Sequence, residues 1–495
     1  MPETYRPKPG NRIFRPRRIK RFRLRRVLGI PAVFSAGYGN VGSSIYYALG
    51  IVALVAMGAT PVALGIAGVL FIFTALTYAE GTAALPEAGG SASFARHGFG
   101  ETAGFVAGWA LMLSYIVTIS ISAYTIPPYL GFFWEPFKTS PFIGTWTSVG
   151  IVGFLMLLNV IGIRETSFVN VGATIIDILT QVSLVVIGFI LLFNPTVLLH
   201  RIIDNWPSGE NLVLGVALAT IAYTGIETMS QMAEETKRPE TSVPRALVMM
   251  IVAVLVIFAG ISLVSLSAMP VGELASEWSR DPVAGIAFHI PIELIRTVLK
   301  PLIAVLAGTI LLIATNAGLI GISRLAFSQG SHGLVPSALS RIHGRFKTPY
   351  VSIIVFSIIA LVILLPGFFA TDVFANMGAL YAVGSLLAFM FAHASILALR
   401  IRKPEMPRPF KLGWNIRIKG RELPVSAMVG LLATAGIWII ILVTQSYSRW
   451  VGLGWMVVGL LIYLYIRRRR RKPSDEWEVP LKRKKTEKGI VDFPQ

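Results

Sequence analysis

Apolar runs of about 18 residues or more follow one another along the chain, separated by short polar connections. Each run is long enough to cross the ~30 Å hydrocarbon core of a bilayer as a helix. Because lipid offers the backbone no hydrogen-bond partner, such runs must be helical. The pattern predicts twelve spans, near residues 28–56, 60–83, 102–130, 145–163, 168–193, 211–233, 245–268, 298–328, 350–366, 371–400, 424–444 and 449–466.

Two of these spans are interrupted by glycine and polar residues. The first span contains Gly37-Tyr-Gly-Asn-Val-Gly-Ser-Ser44, and the sixth contains Ala222-Tyr-Thr-Gly-Ile-Glu227. Glycine disfavours a helix by about 1 kcal/mol relative to alanine, although small residues also let helices pack closely. Two interrupted spans, five helices apart, indicate inverted repeats with a binding site near the midplane. The spacing suits repeats of spans 1–5 and 6–10, followed by spans 11–12.

The composition and the charge agree with a membrane protein. Hydrophobic residues make up 54% of the chain and charged residues only 14%, against about 25% in soluble proteins. The chain has no cysteine, which excludes disulfides and thiolate metal sites, and its six histidines have no ligand-like spacing. We therefore expect neither a cofactor nor a metal. A polar catalytic cluster is also missing, so we do not expect an enzyme.

The basic residues are concentrated in two tails, and this gives the domain organisation. Of the net charge of +20, sixteen charges lie in residues 1–26 and 467–495. Basic segments beside membrane helices fix topology and contact anionic lipid, so nucleic-acid binding is not expected. The remaining Lys and Arg residues favour the loops on the side of the tails. We predict cytoplasmic tails at 1–26 and 467–495, a transporter core at 27–400, and a loop with helices 11–12 at 401–466.

Four stretches in order along the chain resemble the amino acid–polyamine–organocation permease family. They are Tyr78 to Ser91, Ala222 to Ala246, Ser323 to Tyr350 and Pro404-Glu-Met-Pro-Arg-Pro-Phe410. The resemblance implies an all-α integral membrane protein with about twelve transmembrane helices. It also implies a LeuT-like five-plus-five inverted repeat with discontinuous helices 1 and 6, working by alternating access. The solute would then be an amino acid or amine, bound between spans one and six.

The resemblance also implies which residues contact the solute. The carboxylate side would consist of Gly42, Ser43, Ser44 and Ile45, and the amino side of the carbonyls of Gly39, Asn40, Ala222, Tyr223 and Thr224. The first span departs from the family pattern. Tyr38 stands where the family has its first glycine, Ser44 where it has its last, and Tyr46 where it has a phenylalanine. Tyr46 and Tyr223 are also candidates to stack over the solute.

Asp177 is the only charged residue in the run from Val171 to Phe193. Counted from Thr166, it lies about 16 Å deep, close to the midplane, where an aspartate costs about 2.5–3.5 kcal/mol. Some proton-coupled members of the resembled family place a lysine at this position. Asp177 is therefore a candidate proton carrier or cation ligand. The alternative is a structural aspartate paired with Thr174, Thr180 or Gln181.

Three further polar residues lie within predicted spans. Glu227, just after the break in span six, either braces the unwound segment or takes part in proton transfer. Asn316 in span eight is a candidate for a hydrogen bond into the ion region. Glu80, near the inner end of span two, is expected to have a structural role.

Together these observations predict a secondary active transporter of amino acids or related amines in the cell membrane. We expect a multi-pass protein with both termini cytoplasmic, a small-molecule substrate and H⁺ as the coupling ion. The alternatives are transport of an inorganic cation such as potassium, a sodium-coupled mode, or exchange. No carbonyl-filter motif is present in the sequence to favour a channel.

Overall fold

The computed structural model describes residues 26–162, 167–370, 373–418, 420–469, 482–486 and 489–493. The two basic tails lie largely outside these residues, so their position beside the membrane stays a prediction. The loop 163–166, from which the depth of Asp177 is counted, also lies outside them.

Helices account for most of the described chain, as the apolar runs predict. The α-helices among the described residues are α1 (Ile30–Val41), α2 (Ile45–Ala56), α3 (Thr60–Ala84), α4 (Ser91–Phe99), α5 (Glu101–Leu130), α6 (Pro136–Thr139), α7 (Pro141–Ile161), α8 (Ser167–Leu191), α9 (Pro195–Asp204), α10 (Gly209–Ala219), α11 (Glu227–Gln231), α12 (Pro239–Ala268), α13 (Val271–Ala275), α14 (Pro282–Phe288), α15 (Glu293–Ser331), α16 (Tyr350–Leu364), α17 (Val373–Arg402), α18 (Val425–Thr444) and α19 (Ser446–Arg469). Short 3-10 turns lie at Gly42–Ser44, Met57–Ala59, Thr220–Tyr223, Ala233–Glu235, Ser337–Ser340 and Leu365–Phe368.

Two short antiparallel hairpins accompany the helices. Strand β1 (Asn415–Ile418) pairs with β2 (Arg421–Pro424), with Ile418 opposite Arg421. Strand β3 (Lys482–Thr486) pairs with β4 (Gly489–Phe493). The apolar pattern predicts only helices, so both hairpins are additions to the predicted fold.

Eleven stretches of the described chain are helical, long and apolar enough to cross a membrane. The first, Ile30–Ala84, has 55 residues and would extend for about 80 Å if it were straight, against a core of ~30 Å. Its two ends nevertheless lie side by side. The amide of Leu28 donates to the carbonyl of Glu235 (2.9 Å), and that of Ala88 donates to the carboxylate of Glu234 (3.1 Å). The stretch therefore runs out and back, and it contains two of the predicted spans.

The reversal takes place at the 3-10 turn between α2 and α3. Met57 adopts a φ of +46°, and the amide of Gly58 donates to the carbonyl of Asn205 (3.0 Å). A Cβ at position 58 would lie 2.6 Å from the carbonyl oxygen of Arg201. Only glycine allows α9 to come this close, so the turn is held by a helix that crosses over it.

The predicted ends of the spans agree with the helices to within five residues, except at the start of span seven. This span is predicted from 245, whereas α12 begins at Pro239. A proline in the first turn lacks an N–H that would have no helical partner anyway. The amide of Ser242 then donates to the carbonyl of Arg238 (2.9 Å). Pro244 lies inside the helix, where it removes one hydrogen bond near the start.

Burial distinguishes the central helix from the peripheral ones. In α5, 94% of the most apolar 18-residue segment is buried inside the protein, whereas in α19 the share is 17%. Helix α5 packs against α4, α7, α15 and α17. Helices α18 and α19 expose large apolar side chains such as Leu432, Leu461 and Trp450. The centre of the protein therefore lies around α5, and α18 and α19 lie at its edge.

Candidate solute and coupling site

All twelve predicted site residues lie among the described residues, and all of them are buried. Span one consists of α1 and α2, and span six of α10 and α11. Spans two, three, four and five are α3, α5, α7 and α8. Spans seven, eight and ten are α12, α15 and α17.

The junction within span one is a 3-10 turn rather than an unwound segment. Gly42 (φ −64°, ψ −33°) and Ile45 (φ −62°, ψ −29°) both keep right-handed helical angles. The hydroxyls of Ser43 and Ser44 donate to the carbonyl of Asn40, at 3.1 and 3.3 Å. Since these hydroxyls use the carbonyl at the junction, the helix tightens locally without opening. The predicted discontinuity of helix 1 takes this limited form.

The space beside Gly42 is filled by an aromatic ring. A Cβ at position 42 would lie 2.5 Å from Cζ of Tyr38, which is fully buried and stacks on Phe34 with ring centroids 5.9 Å apart. Gly39 faces span eight instead, because a Cβ there would lie 3.1 Å from Ile313. The tyrosine that departs from the family pattern thus covers the predicted carboxylate side.

Span six is broken, as the sequence predicts. Thr224 is extended (φ −84°, ψ 158°) and Gly225 has a φ of +109°, which side chains rarely tolerate. A Cβ at position 225 would lie 2.9 Å from Cγ of Asn40. The side-chain Nδ2 of Asn40 also donates to Oγ1 of Thr228 (2.9 Å). The break in span six therefore contacts span one directly, and we call Asn40, Gly225 and Thr228 the joint.

The remaining predicted residues of span six point in other directions. The hydroxyl of Tyr223 donates to the carbonyl of Leu64 (2.8 Å), and its ring lies beside Phe71 of span two and Phe258 of span seven. The hydroxyl of Thr224 donates to the carbonyl of Ile221 (2.8 Å). Tyr223 thus directs its side chain towards spans two and seven, and Ala222 is fully buried beside it.

Asp177 links span five to span one. Its Oδ1 accepts a hydrogen bond from the hydroxyl of Tyr46 (2.7 Å), and its Oδ2 accepts one from Nε2 of Gln181 (2.6 Å). The carbonyl of Tyr46 in turn accepts the hydroxyl of Tyr129 (2.8 Å). Tyr38 lies within electrostatic reach of the same carboxylate. Tyr46 therefore contacts both Asp177 and Tyr129. The rings of Tyr46 and Tyr129 meet edge-on, with their centroids 5.4 Å apart.

Of the three predicted structural partners of Asp177, only Gln181 binds it. Thr174 bonds the hydroxyl of Ser35 (2.8 Å), and Thr180 donates to the carbonyl of Ile176 (2.9 Å). Helical periodicity places Thr174, Asp177 and Gln181 on one face of α8. The opposite face carries exposed apolar side chains such as Ile175, Leu179 and Ile190.

Glu227 forms a hydrogen bond within the break through one of its carboxylate oxygens. Its Oε2 accepts the amide of Gly225 (3.1 Å), which fixes the turn that enters α11. Its Oε1 is buried and has no hydrogen-bond partner among the described residues. Asn316 joins spans eight and four, because its Oδ1 accepts a hydrogen bond from Nδ2 of Asn159 (2.6 Å).

Sequence reasoning did not single out Tyr115 and Tyr381, two buried tyrosines within electrostatic reach of Glu227. They stand in apolar spans of a chain with fourteen tyrosines, and only the three-dimensional structure brings them to the break.

The helical spans and the buried polar joint define a multi-pass membrane transport protein. A sequence model described as amino acid permease matches residues 28–465. The chain therefore belongs to the amino acid permease family, and the resemblance to the amino acid–polyamine–organocation permeases is confirmed. It is a permease, not an enzyme, and its partner is a small-molecule substrate.

Several curated relatives match over nearly their whole length. The branched-chain amino acid permease BcaP of Bacillus subtilis is 27% identical, over 91% of this chain and 94% of the relative. The methylthioribose transporter of the same organism is 26% identical, over 86% and 90%. The low-affinity putrescine importer PlaP of Escherichia coli is 25% identical, over 92% and 97%.

Proposed function

We propose that this chain is a secondary active transporter of an amino acid or a related amine, which works by alternating access and is coupled to protons. The observation that carries the proposal is the joint, where the broken span six meets the glycine-rich part of span one in a buried polar contact. The names of the relatives support the substrate class, since they include a branched-chain amino acid permease and a putrescine importer.

The solute binds at the joint in this proposal. Gly39, Asn40 and residues 222–224 contribute the amino side, and residues 42–45 contribute the carboxylate side. The positive end of a half-helix favours an anionic group. Because the ring of Tyr38 covers Gly42, a carboxylate reaches this helix end only after the ring has rotated away. A solute without a carboxylate needs no such rotation.

Proton coupling rests on Asp177. Its two oxygens accept hydrogen bonds from a tyrosine hydroxyl and an amide N–H, and a bound sodium ion would instead need acceptor atoms around it. A carboxyl group that is buried in one state and hydrated in another binds its proton with different affinities in the two states. Protonation can then shift the equilibrium between the states. Asn316 and Glu227 support the coupling by holding spans eight and six.

The proposed topology has twelve crossings, since the stretch Ile30–Ala84 accounts for two. Spans 1–5 and 6–10 form the inverted repeats, and spans 11–12 are added at the edge. Both termini are cytoplasmic in the cell membrane, and the basic tails contact anionic lipid.

Uptake into proteoliposomes tests the proposed substrate class. The purified protein is reconstituted and offered labelled leucine, putrescine, methylthioribose or rubidium, the last as a potassium analogue. We expect saturable uptake of an amino acid or amine that rises when the outside is acidified. Saturable rubidium flux without organic uptake would identify an inorganic cation transporter. A sodium requirement without a proton effect would identify the sodium-coupled mode, and transport only against a loaded interior would identify an exchanger.

A further inference from the structure

Five buried polar atoms around Glu227 have no hydrogen-bond partner among the described residues. They are Oδ1 of Asn40, the hydroxyl oxygens of Tyr78, Tyr115 and Tyr381, and Oε1 of Glu227 itself. These residues come from spans one, two, three, ten and six, and none is more than 1% exposed. Each of the three hydroxyls lies within electrostatic reach of the Glu227 carboxylate and beside a neighbouring side-chain hydroxyl, that of Ser91 for Tyr78, of Thr228 for Tyr115 and of Thr224 for Tyr381.

Such a concentration favours a bound ligand, because a buried polar group without a partner costs free energy and more than about 90% of such groups have one. The set is chemically mixed. The tyrosine hydroxyls can donate. Oδ1 of Asn40 can only accept, and Oε1 of Glu227 can only accept when Glu227 is ionised. Water both donates and accepts, and buried waters typically make about three hydrogen bonds. A metal cation would leave the hydroxyl hydrogens of the three tyrosines without an acceptor.

We propose that these five atoms line a chamber that holds ordered water at the Glu227 carboxylate. The chamber deepens the coupling proposed above, because it gives a second buried carboxylate a partner for proton transfer. A proton that leaves the Glu227 carboxyl passes to water as hydronium. The carboxylate that remains is stabilised by the surrounding hydroxyl groups.

The chamber continues towards the inner loop between α3 and α4. Gly90 has a φ of +52°, and a Cβ there would lie 3.5 Å from Tyr78 and 3.9 Å from the carbonyl oxygen of Glu227. The next residue, Ser91, is fully buried, and its hydroxyl lies beside that of Tyr78. Two residues before Gly90, the amide of Ala88 bonds an exposed carboxylate. Ordered water therefore connects Glu227 to the end of the protein where this loop lies.

Two other tyrosines serve as controls within the same chain. Tyr129 is 1% exposed and Tyr223 is 4% exposed, yet the hydroxyls of both donate to backbone carbonyls, at 2.8 Å each. Their hydroxyls have a protein partner and need no water. They share residue type and near-complete burial with the chamber tyrosines, and their hydroxyls differ in having a backbone partner. Tyr129 is the stricter control, because Tyr223 also lines a small cavity with Ala67 and Leu386.

X-ray hydroxyl-radical footprinting of the full protein in lipid nanodiscs tests the proposal. Radicals form from water where it lies, so ordered water labels a buried ring beside it. We expect Tyr78, Tyr115 and Tyr381 to be modified several-fold faster than Tyr129 and Tyr223. Equal rates for all five would overturn the proposal.

Two further arms identify the source of the label. After rapid mixing with isotopically labelled water, the chamber tyrosines should take up the isotope later than the exposed Trp414, because held water exchanges slowly. If no lag is seen, bulk water enters by opening and the chamber is refuted. Replacing N-methylglucamine by sodium should leave the modification rates unchanged. A fall in the rates of Tyr78, Tyr115 and Tyr381 alone would assign a cation site instead and overturn the proposal. None of these results depends on which solute is carried, so failure of the transport proposal is separately visible.

Discussion

Glu80 offers a sharp test of how the end of the protein where α17 ends is held together. Its carboxylate is fully buried and accepts Nε and Nη2 of Arg400 (2.8 and 2.5 Å) and the amide of Leu412 (2.7 Å). Nε of Arg408 lies 3.5 Å away. The cluster ties the end of α17 and the loop after it to α3. Glu80→Gln keeps the shape of the side chain and removes its charge.

The expected cost follows from the burial of both partners. The side chains of Glu80 and Arg400 are 0% and 3% exposed, so the variant leaves an arginine charge buried without its counter-ion. Breaking a buried pair in this way costs about 3–5 kcal/mol. This corresponds to roughly two to four orders of magnitude in the ratio of folded to unfolded protein.

Thermal unfolding in detergent, followed by tryptophan fluorescence, measures the effect. Glu80→Gln should lower the melting temperature clearly. The control Glu422→Gln in β2, whose partners Lys411 and Arg417 are exposed, should leave it nearly unchanged. Removing both charges with Glu80→Gln and Arg400→Met should cost less than Glu80→Gln alone. If Glu80→Gln melts like the wild type, the cluster does not stabilise the fold and this reasoning is wrong.

Three further predictions concern the break, a loop and the topology. Gly225→Ala forces a side chain into a φ of +109° and against Asn40, so the variant should lose about 1–3 kcal/mol of stability and should not take up solute. The control Gly209→Ala places its side chain in open space and should change neither property. Uptake and melting temperature, measured for both variants, check this. Burial alone would raise the pKa of Glu87, but His97 and Arg96 hold it below its ordinary 4.5. The Glu87 carboxylate should therefore contribute its full stabilisation of the fold near neutral pH and lose it on acidification. The melting temperature of Glu87→Gln should accordingly fall less than that of the wild type when the pH is lowered. Reporter fusions at Lys138 and Arg408 should report opposite sides of the membrane, and the same side for both would refute twelve crossings.

Much of the fold could be predicted because lipid imposes simple rules on the sequence. Span lengths and the break at Gly225 follow from apolar runs and from glycine beside polar residues. The form of span one could not be predicted. Whether glycine at 42 opens the helix depends on Ser43, Ser44 and the ring of Tyr38, and these act only once the helix exists. Tyr38 could be noticed as a departure from the family pattern, but not as the cover over Gly42.

The polar partners within the site were harder to predict than the spans. Asp177 stands out because a lone charge in an apolar run is costly. Asp177 forms hydrogen bonds with Tyr46 and Gln181 rather than with Thr174, and this depends on how α8 is oriented towards span one. Tyr78, Tyr115 and Tyr381 come from three different spans, and nothing in their local sequence indicates that they meet at Glu227. Long-range packing brings these side chains together, so a single sequence does not reveal their arrangement around Glu227.

Asp177→Asn tests proton-coupled transport most directly. The variant keeps the shape of a protonated aspartate but cannot release a proton, so the loaded carrier can still turn over while the empty carrier cannot return deprotonated. Asp204→Asn, which alters an exposed acid at the end of α9, serves as the control and should behave like the wild type.

The measurement is solute uptake in sodium-free proteoliposomes, with and without an imposed pH gradient. We predict that Asp177→Asn retains exchange between equal pools of solute and loses accumulation driven by the gradient. Undiminished pH-driven accumulation by Asp177→Asn would contradict the account.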